Sequence, residues 1–109
     1  MNEIRDRRDK HWFWIDDAVI DAHATALGPL GLALYAVLAR HADDNGDGEI
    51  RFAQVQEHFG ASDQSPAVWR ARPLLVRRGL ITQHEHRNGV LRYTLRACPD
   101  AASAEDAAP

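Results

Sequence analysis

Cysteine is nearly absent: Cys98 is the single one, so no disulfide can form within the chain. Long apolar runs are missing too, since no stretch approaches the roughly 20 apolar residues of a membrane span. No charged-then-apolar leader opens the chain, so the expectation is a cytoplasmic protein. The signatures of catalysis are lacking: there is no Gly-rich phosphate loop, no nucleophile elbow and no helical pair of metal-binding histidines. The six histidines show no zinc-ligand spacing. An enzyme is therefore not expected, and neither is a cofactor. Lysine is missing from residues 50–96, where the basic charge consists of eight arginines.

What is present is charge sorted by position. The 109 residues carry a formal net charge of −3. Residues 11–49 hold seven acids and one arginine, whereas residues 50–96 hold three acids against those eight arginines. A local field, not the whole-chain sum, decides attraction to phosphate. Arginine without lysine favours planar, forked recognition of phosphate or guanine. A solvated basic face is the competing reading.

The length suggests one domain. Residues 1–11 are polar and without apolar period, as in a flexible N-terminal arm. Residues 97–109 are small and acidic, as in a disordered tail or the start of a linker. Between them, residues 12–96 carry the apolar pattern. Trp12, Phe13, Trp14 and Ile15 form a dense cluster that reads as a short strand covering the domain's own core or a partner subunit. Asp16 or Asp17 then caps a short helix with Val19 and Ile20. A long helix is expected from Gly28-Pro29 to about Ala42, with Leu30, Leu34, Val37, Leu38 and His41 on one stripe.

The segment from Asp43 to Gln54 resembles the EF-hand calcium loop. Asp43, Asn45 and Asp47 occupy its first, third and fifth positions, Gly48 the sixth and Ile50 the eighth. The pattern then departs: Arg51 stands at the ninth position and Gln54 where a bidentate glutamate belongs. An ordinary Asp/Asn/Gly turn explains the same residues. No metal is assigned, and a calcium loop on Asp43, Asn45 and Asp47 stands as the minor alternative.

Glu49 to Phe52 alternates as a small strand. Val55 and Phe59 share one face of a short helix, which the turn from Gly60 to Gln64 ends. Ser65-Pro66 starts a second helix, with Val68 and Leu75 turned inward and Gly79 at its end. Proline at position 73 removes a backbone bond from that helix and should bend it. Two runs, Leu80 to His86 and Val90 to Arg96, flank Asn88-Gly89, a two-residue hairpin signal. The hairpin pairs Arg87 with Val90 and Glu85 with Arg92, and turns Leu91, Tyr93 and Leu95 to the core. His84 and His86, two apart, are expected on one side.

This order of parts resembles the winged helix-turn-helix family over roughly residues 13–96. The junction Leu75-x-x-x-Gly79-Leu80-Ile81 is its best local motif. The segments Leu27-Gly28-Pro29 to Tyr35 and His41-Ala42-Asp43 look like small bacterial, phage and plasmid regulators or replication initiators. The resemblance implies a mainly α fold with a small β-hairpin: a three-helix core plus a two- to three-stranded wing sheet. It implies a sequence-specific double-stranded DNA-binding protein, a transcriptional regulator, that reads the major groove with helix 65–78 and contacts backbone or minor groove with the wing 80–96. On that reading Gln64 and Ser65 lie near a phosphate or base edge. Arg70 forks onto guanine, and Trp69 stacks on sugar or packs in the core. Arg72 binds phosphate or pairs with an acid, and Arg87 enters the minor groove. Alternatives are a protein-interaction module and a plasmid or phage replication-initiation factor. A homodimer would use the Trp-rich N-terminal segment, because no coiled-coil seam is present.

Overall fold

Alternating helical and extended segments with matching apolar faces organise the chain, and a computed structural model shows how they meet. It describes residues 13, 15–60 and 64–97. The arm expected over residues 1–11, all but Ala97 of the tail, and Trp12 and Trp14 lie outside those residues.

The element order is a π-helical turn (Val19–His23), α1 (Ala24–His41), β1 (Asp47–Arg51), α2 (Phe52–Phe59), α3 (Gln64–Trp69), α4 (Arg72–Arg77), β2 (Ile81–Arg87) and β3 (Val90–Leu95). The three strands form one antiparallel sheet in the order β1-β3-β2. The fold is thus mixed α/β, helices packed with a three-stranded sheet, the fuller form of the two- to three-stranded sheet expected and more than a small hairpin. The reason is β1, which pairs along its whole length from Asp47↔Thr94 to Arg51↔Val90.

The N-terminal side follows its sequence signals in part. Asp16 caps as expected, its Oδ1 accepting the Ala18 N–H at 2.9 Å. Val19 is buried, but Ile20 is 52% exposed. Phe13 and Ile15 pack on the core without joining a strand.

α1 starts before the expected Gly28. That glycine holds φ 67° and ψ 177°, a kink within the helix that an L-side chain adopts only with strain. Counted from Val19, the helical stretch is 23 residues with a mean hydropathy of 1.5, long and apolar enough by length and composition to cross a membrane. No such run was expected from the sequence. The kink leaves Pro29–His41 as the straight part, which rises about 20 Å at 1.5 Å per residue, against a hydrocarbon core of about 30 Å. Leu27, Gly31, Leu34, Tyr35 and Leu38 are buried, whereas Leu30 is 43% exposed. Leu34, Val37 and Leu38 of the expected stripe are thus buried, Leu30 and His41 are not, and the buried face widens to take in Leu27, Gly31 and Tyr35. Gly31 marks where α4 crosses: a Cβ there would lie 3.5 Å from Leu74 Cδ2.

Val55 is fully buried on α2. Gly60, at φ 81°, ends that helix and donates its N–H to Gln56 O at 2.7 Å. The expected helix 65–78 is two short helices, α3 and α4, with Arg70 and Ala71 in a turn between them. Pro73 is the cause. It has no N–H for the Trp69 carbonyl, and its ring crowds that carbonyl, so the helix breaks and restarts with proline in the first turn. Val68 and Leu75 still turn inward, 2% and 0% exposed.

The junction after α4 has a clear basis. Gly79 N–H donates to Val76 O and Leu80 N–H to Leu75 O, both at 3.0 Å. Gly79 sits at φ 76°, and Leu75 and Leu80 are both fully buried. This is the paired C-terminal cap of a Schellman motif with its apolar contact. The hairpin has the expected register, with Arg87↔Val90 and Glu85↔Arg92. Asn88 and Gly89 hold φ 53° and 73°, as a tight two-residue turn demands.

Candidate nucleic-acid interface

The candidate site grows from one tryptophan. Trp69 ends α3 and is 8% exposed. Its ring lies 5.7 Å from that of Phe52 and 5.8 Å from that of His86. The Arg72 guanidinium carbon sits 4.5 Å from the ring centroid. Phe52 begins α2 immediately after β1, and its N–H donates to Gly89 O at 2.8 Å. The hairpin tip, the start of α2 and the α3–α4 turn are thereby fastened together around an indole.

His86 reaches this cluster because of an irregularity in β2. The register shifts between Gln83 and Glu85, the signature of a β-bulge. His84 then turns to the sheet's outer face, its Nε2 2.6 Å from Thr94 Oγ1. His86 pairs opposite Leu91 on the core face. The two histidines expected on one side are split between two.

Arg72 has no acid partner among the described residues. Its Nη1 is buried and makes no hydrogen bond there, and the aromatic face supplies the attraction instead. Burial lowers its pKa from the ordinary arginine value, yet a guanidinium stays charged at any physiological pH. The pKa of His86 is also lowered, first by desolvation and then by Arg72.

Ser65 is fully buried and donates its hydroxyl to the Gly60 carbonyl. That commits it to the turn, so it leaves the set of groups able to reach a ligand. Trp69 is likewise a core residue. Gln64 is exposed at the start of α3. Arg70 and Arg87 are exposed, and among the described residues no carboxylate pairs with either. They are the direct chain neighbours of Trp69 and His86; because side chains alternate along a strand, Arg87 leaves β2 on the face opposite His86. Arg92 instead faces Glu85 at 3.7 Å. Arg78 donates from Nε to His23 Nδ1 at 3.2 Å. Of the six expected residues, the fold brings Trp69 and Arg72 into contact, leaves Gln64, Arg70 and Arg87 exposed and turns Ser65 inward. Phe52 and His86 are the members that sequence reasoning missed. The hairpin register alone put His86 opposite Leu91, which was the usable signal.

The loop after α1 folds as a turn into β1. Asp43 Oδ1 accepts the N–H groups of Asn45 and Asp47, at 2.9 and 3.0 Å. Thr94 donates its hydroxyl to Asp47 Oδ1. Gln54 Oε1 accepts the Arg51 N–H at 2.9 Å, which caps α2 rather than pointing at a cation. Among the described residues no three His, Cys, Asp or Glu side chains converge as a metal site. Gly48 has its own reason: a Cβ there would collide with the Tyr93 hydroxyl.

No protein-family model, curated protein or solved structure matches this chain.

Proposed function

We propose that the chain is a sequence-specific double-stranded DNA-binding protein, a transcriptional regulator of winged helix-turn-helix build. The observation that carries this is the cluster of Trp69, Phe52, His86 and Arg72 that fastens the hairpin tip to the α3–α4 turn, with the exposed Arg70 and Arg87 next in sequence to two of its rings and without acid partners among the described residues. Element order supports it: helix, strand, three short helices, then a hairpin, with β1 on the outer edge of β3. In this reading α3 and the turn that follows face the major groove, and the hairpin tip reaches backbone or minor groove. Trp69 and Ser65 do not touch DNA; they set the angle between the two reading parts. Arg70 is the base-reading residue, with Gln64 beside the groove. Such a protein works in the cytoplasm, and replication initiation is an alternative use of the same DNA contact.

The test is selection of genome fragments by the purified full chain, followed by binding measured across salt concentrations. Each phosphate contact steepens the fall of log affinity with log salt by about 0.9. Arg70→Ala is expected to lose about 1–3 kcal/mol of discrimination at one base pair, the usual worth of a forked guanine contact. Absent or salt-insensitive binding overturns the reading.

A protein-interaction module is the second reading. It is favoured by three large apolar side chains on the outside, Ile20, Leu30 and Val76, which are 52%, 43% and 40% exposed. A stable protein partner captured without DNA would support it.

A further inference from the structure

Two helix ends far apart in sequence are joined by one hydrogen bond. His41 is the last residue of α1, and His58 is next to last in α2. Their Nε2 atoms lie 3.0 Å apart, with the ring centroids at 5.3 Å and the planes tilted by 60°. The two nitrogens face each other, so one neutral ring donates its N–H and the other accepts with its lone pair. α2 otherwise packs chiefly against α3 and β1. Among the described residues, this is the side-chain hydrogen bond that ties α2 to α1. Beside it lies an apolar groove of about 420 Å³, lined by Phe13, Ala33, Ala36, Val37, Phe59 and His58 itself.

We propose that the His41–His58 pair is a proton-operated clasp: it holds the ends of α1 and α2 together while neutral or singly protonated, and releases them on the second proton, opening the groove at His58. Counting donors and acceptors gives the reason. With both rings neutral, an N–H meets a lone pair. One added proton leaves an acceptor in place, and the bond becomes charge-assisted, about twice as strong as a neutral one. A second proton makes both Nε2 atoms donors. No acceptor remains, and two like charges then face each other across 3.0 Å, so the rings must part. The charges that act on His41 are Arg40 on its own helix and His58 and Glu57 on α2. Burial first, then His58 and Arg40, hold the His41 pKa below its ordinary value, while Glu57 opposes them. Like charges sharing one site take up their protons in two coupled steps. The lowered value belongs to the folded state, so the clasp is closed above that range and opens as pH falls through the second step. His58 is exposed and His41 half-buried, so protons reach both. Val55 stays in the core and keeps the middle of α2 in place, which makes the opening local. The clasp is independent of the DNA-binding reading and stands or falls without it.

The experiment follows the ring-nitrogen chemical shifts of each histidine in the full chain by NMR as pH is lowered through the histidine range. Fluorescence of an apolar dye, anilinonaphthalene sulfonate, reads the opened groove, and far-UV circular dichroism marks global unfolding. His41 and His58 are expected to titrate in two linked steps, each ring reporting both. Dye fluorescence should rise with the second step, at a pH above that at which the helical signal is lost. His58→Gln keeps a hydrogen-bonding group but cannot take up a charge. In that variant His41 should titrate in one step, with its midpoint moved up toward the ordinary 6.5, and the dye response in that window should vanish. His41→Gln should abolish the dye response likewise. His84→Gln, on β2, should leave both steps unchanged. His58 is exposed, so its variant keeps the fold and carries the test alone if His41→Gln unfolds. Unlinked single-step titrations of the two rings in the parent, or an equal dye response in His58→Gln, overturn the proposal.

Discussion

Tyr93 ties the sheet to the long helix through one atom. Its hydroxyl donates to the Leu38 carbonyl at 2.7 Å, one of the last-turn carbonyls that α1 cannot satisfy by itself. Gly48 lies against that hydroxyl. Gly48→Ala therefore forces the ring or β1 to shift, and is expected to cost about 1–3 kcal/mol, as overpacking does; urea denaturation measures it. Tyr93→Phe leaves a buried carbonyl unpaired at a cost of about 1–3 kcal/mol. The same burial, with Asp43 second, raises the Tyr93 pKa above its ordinary 10.0. The raised value means that the unfolded chain loses this proton first as pH rises. Stability is thus full below pH 10 and falls above it, with the folded phenol staying protonated. A pH series of unfolding midpoints should show that alkaline loss in the parent and a smaller one in Tyr93→Phe. Nothing in the sequence pattern announced this bond. Gly48 fitted a calcium loop by spacing, and only the register Gly48↔Tyr93 reveals a packing reason for it.

Among the elements, those whose ends are written in backbone chemistry were legible. Gly79 and Asn88-Gly89 announce a helix stop and a two-residue turn because few residues adopt left-handed angles without strain. Gly79→Ala should accordingly cost about 1 kcal/mol, read as a lower urea midpoint with an unchanged slope. Interruptions were less legible. Pro73 foretold a disturbance, but whether a helix bends or restarts depends on what packs beneath, here Trp69 against Phe52 and His86. The bulge in β2 had no marker at all, and it decides which histidine meets the tryptophan. The His41–His58 hydrogen bond, Nε2 to Nε2 at 3.0 Å, was invisible for a simpler reason: it depends on where the ends of α1 and α2 meet. These elements also carry the acid response. The His41 and His86 pKa values are both lowered from 6.5, chiefly by desolvation, so the unfolded chain binds protons more readily in the range just below that value. Stability is complete above that range and declines as pH falls through it. His41→Gln and His86→Gln should each flatten part of the decline in a pH series of thermal midpoints.

For the whole molecule, the question is how a chain of net charge −3 would approach a polyanion. The acids are concentrated in residues 11–49 and the arginines in residues 50–96, and β1 brings the two halves together where Glu49 lies opposite Arg92. Among the described residues the one arginine–carboxylate pair is Arg92 with Glu85, at 60% and 46% side-chain exposure. That pair joins two neighbours within the basic half, and an exposed pair of this kind contributes at most about 1 kcal/mol. On the proposed DNA-binding reading, the exposed arginines of residues 50–96 attract phosphate before contact and the carboxylates of residues 11–49 oppose it. Two kinds of substitution separate orientation from reading. Arg87→Ala removes a backbone or minor-groove contact, so it should weaken binding to every sequence alike and lower the salt slope by about 0.9. Arg70→Ala should instead flatten preference at one base pair. The paired change Asp43→Asn and Asp44→Asn removes two negative charges outside both contacts, and an amide at position 43 retains an oxygen that accepts the turn's N–H groups. It should speed association at low salt and leave the preferred sequence unchanged. Stopped-flow association rates across salt, paired with competition between matched and mismatched duplexes, measure all three. If Arg70→Ala and Arg87→Ala give the same sequence-independent loss, the base-reading role of Arg70 fails even if DNA binding stands.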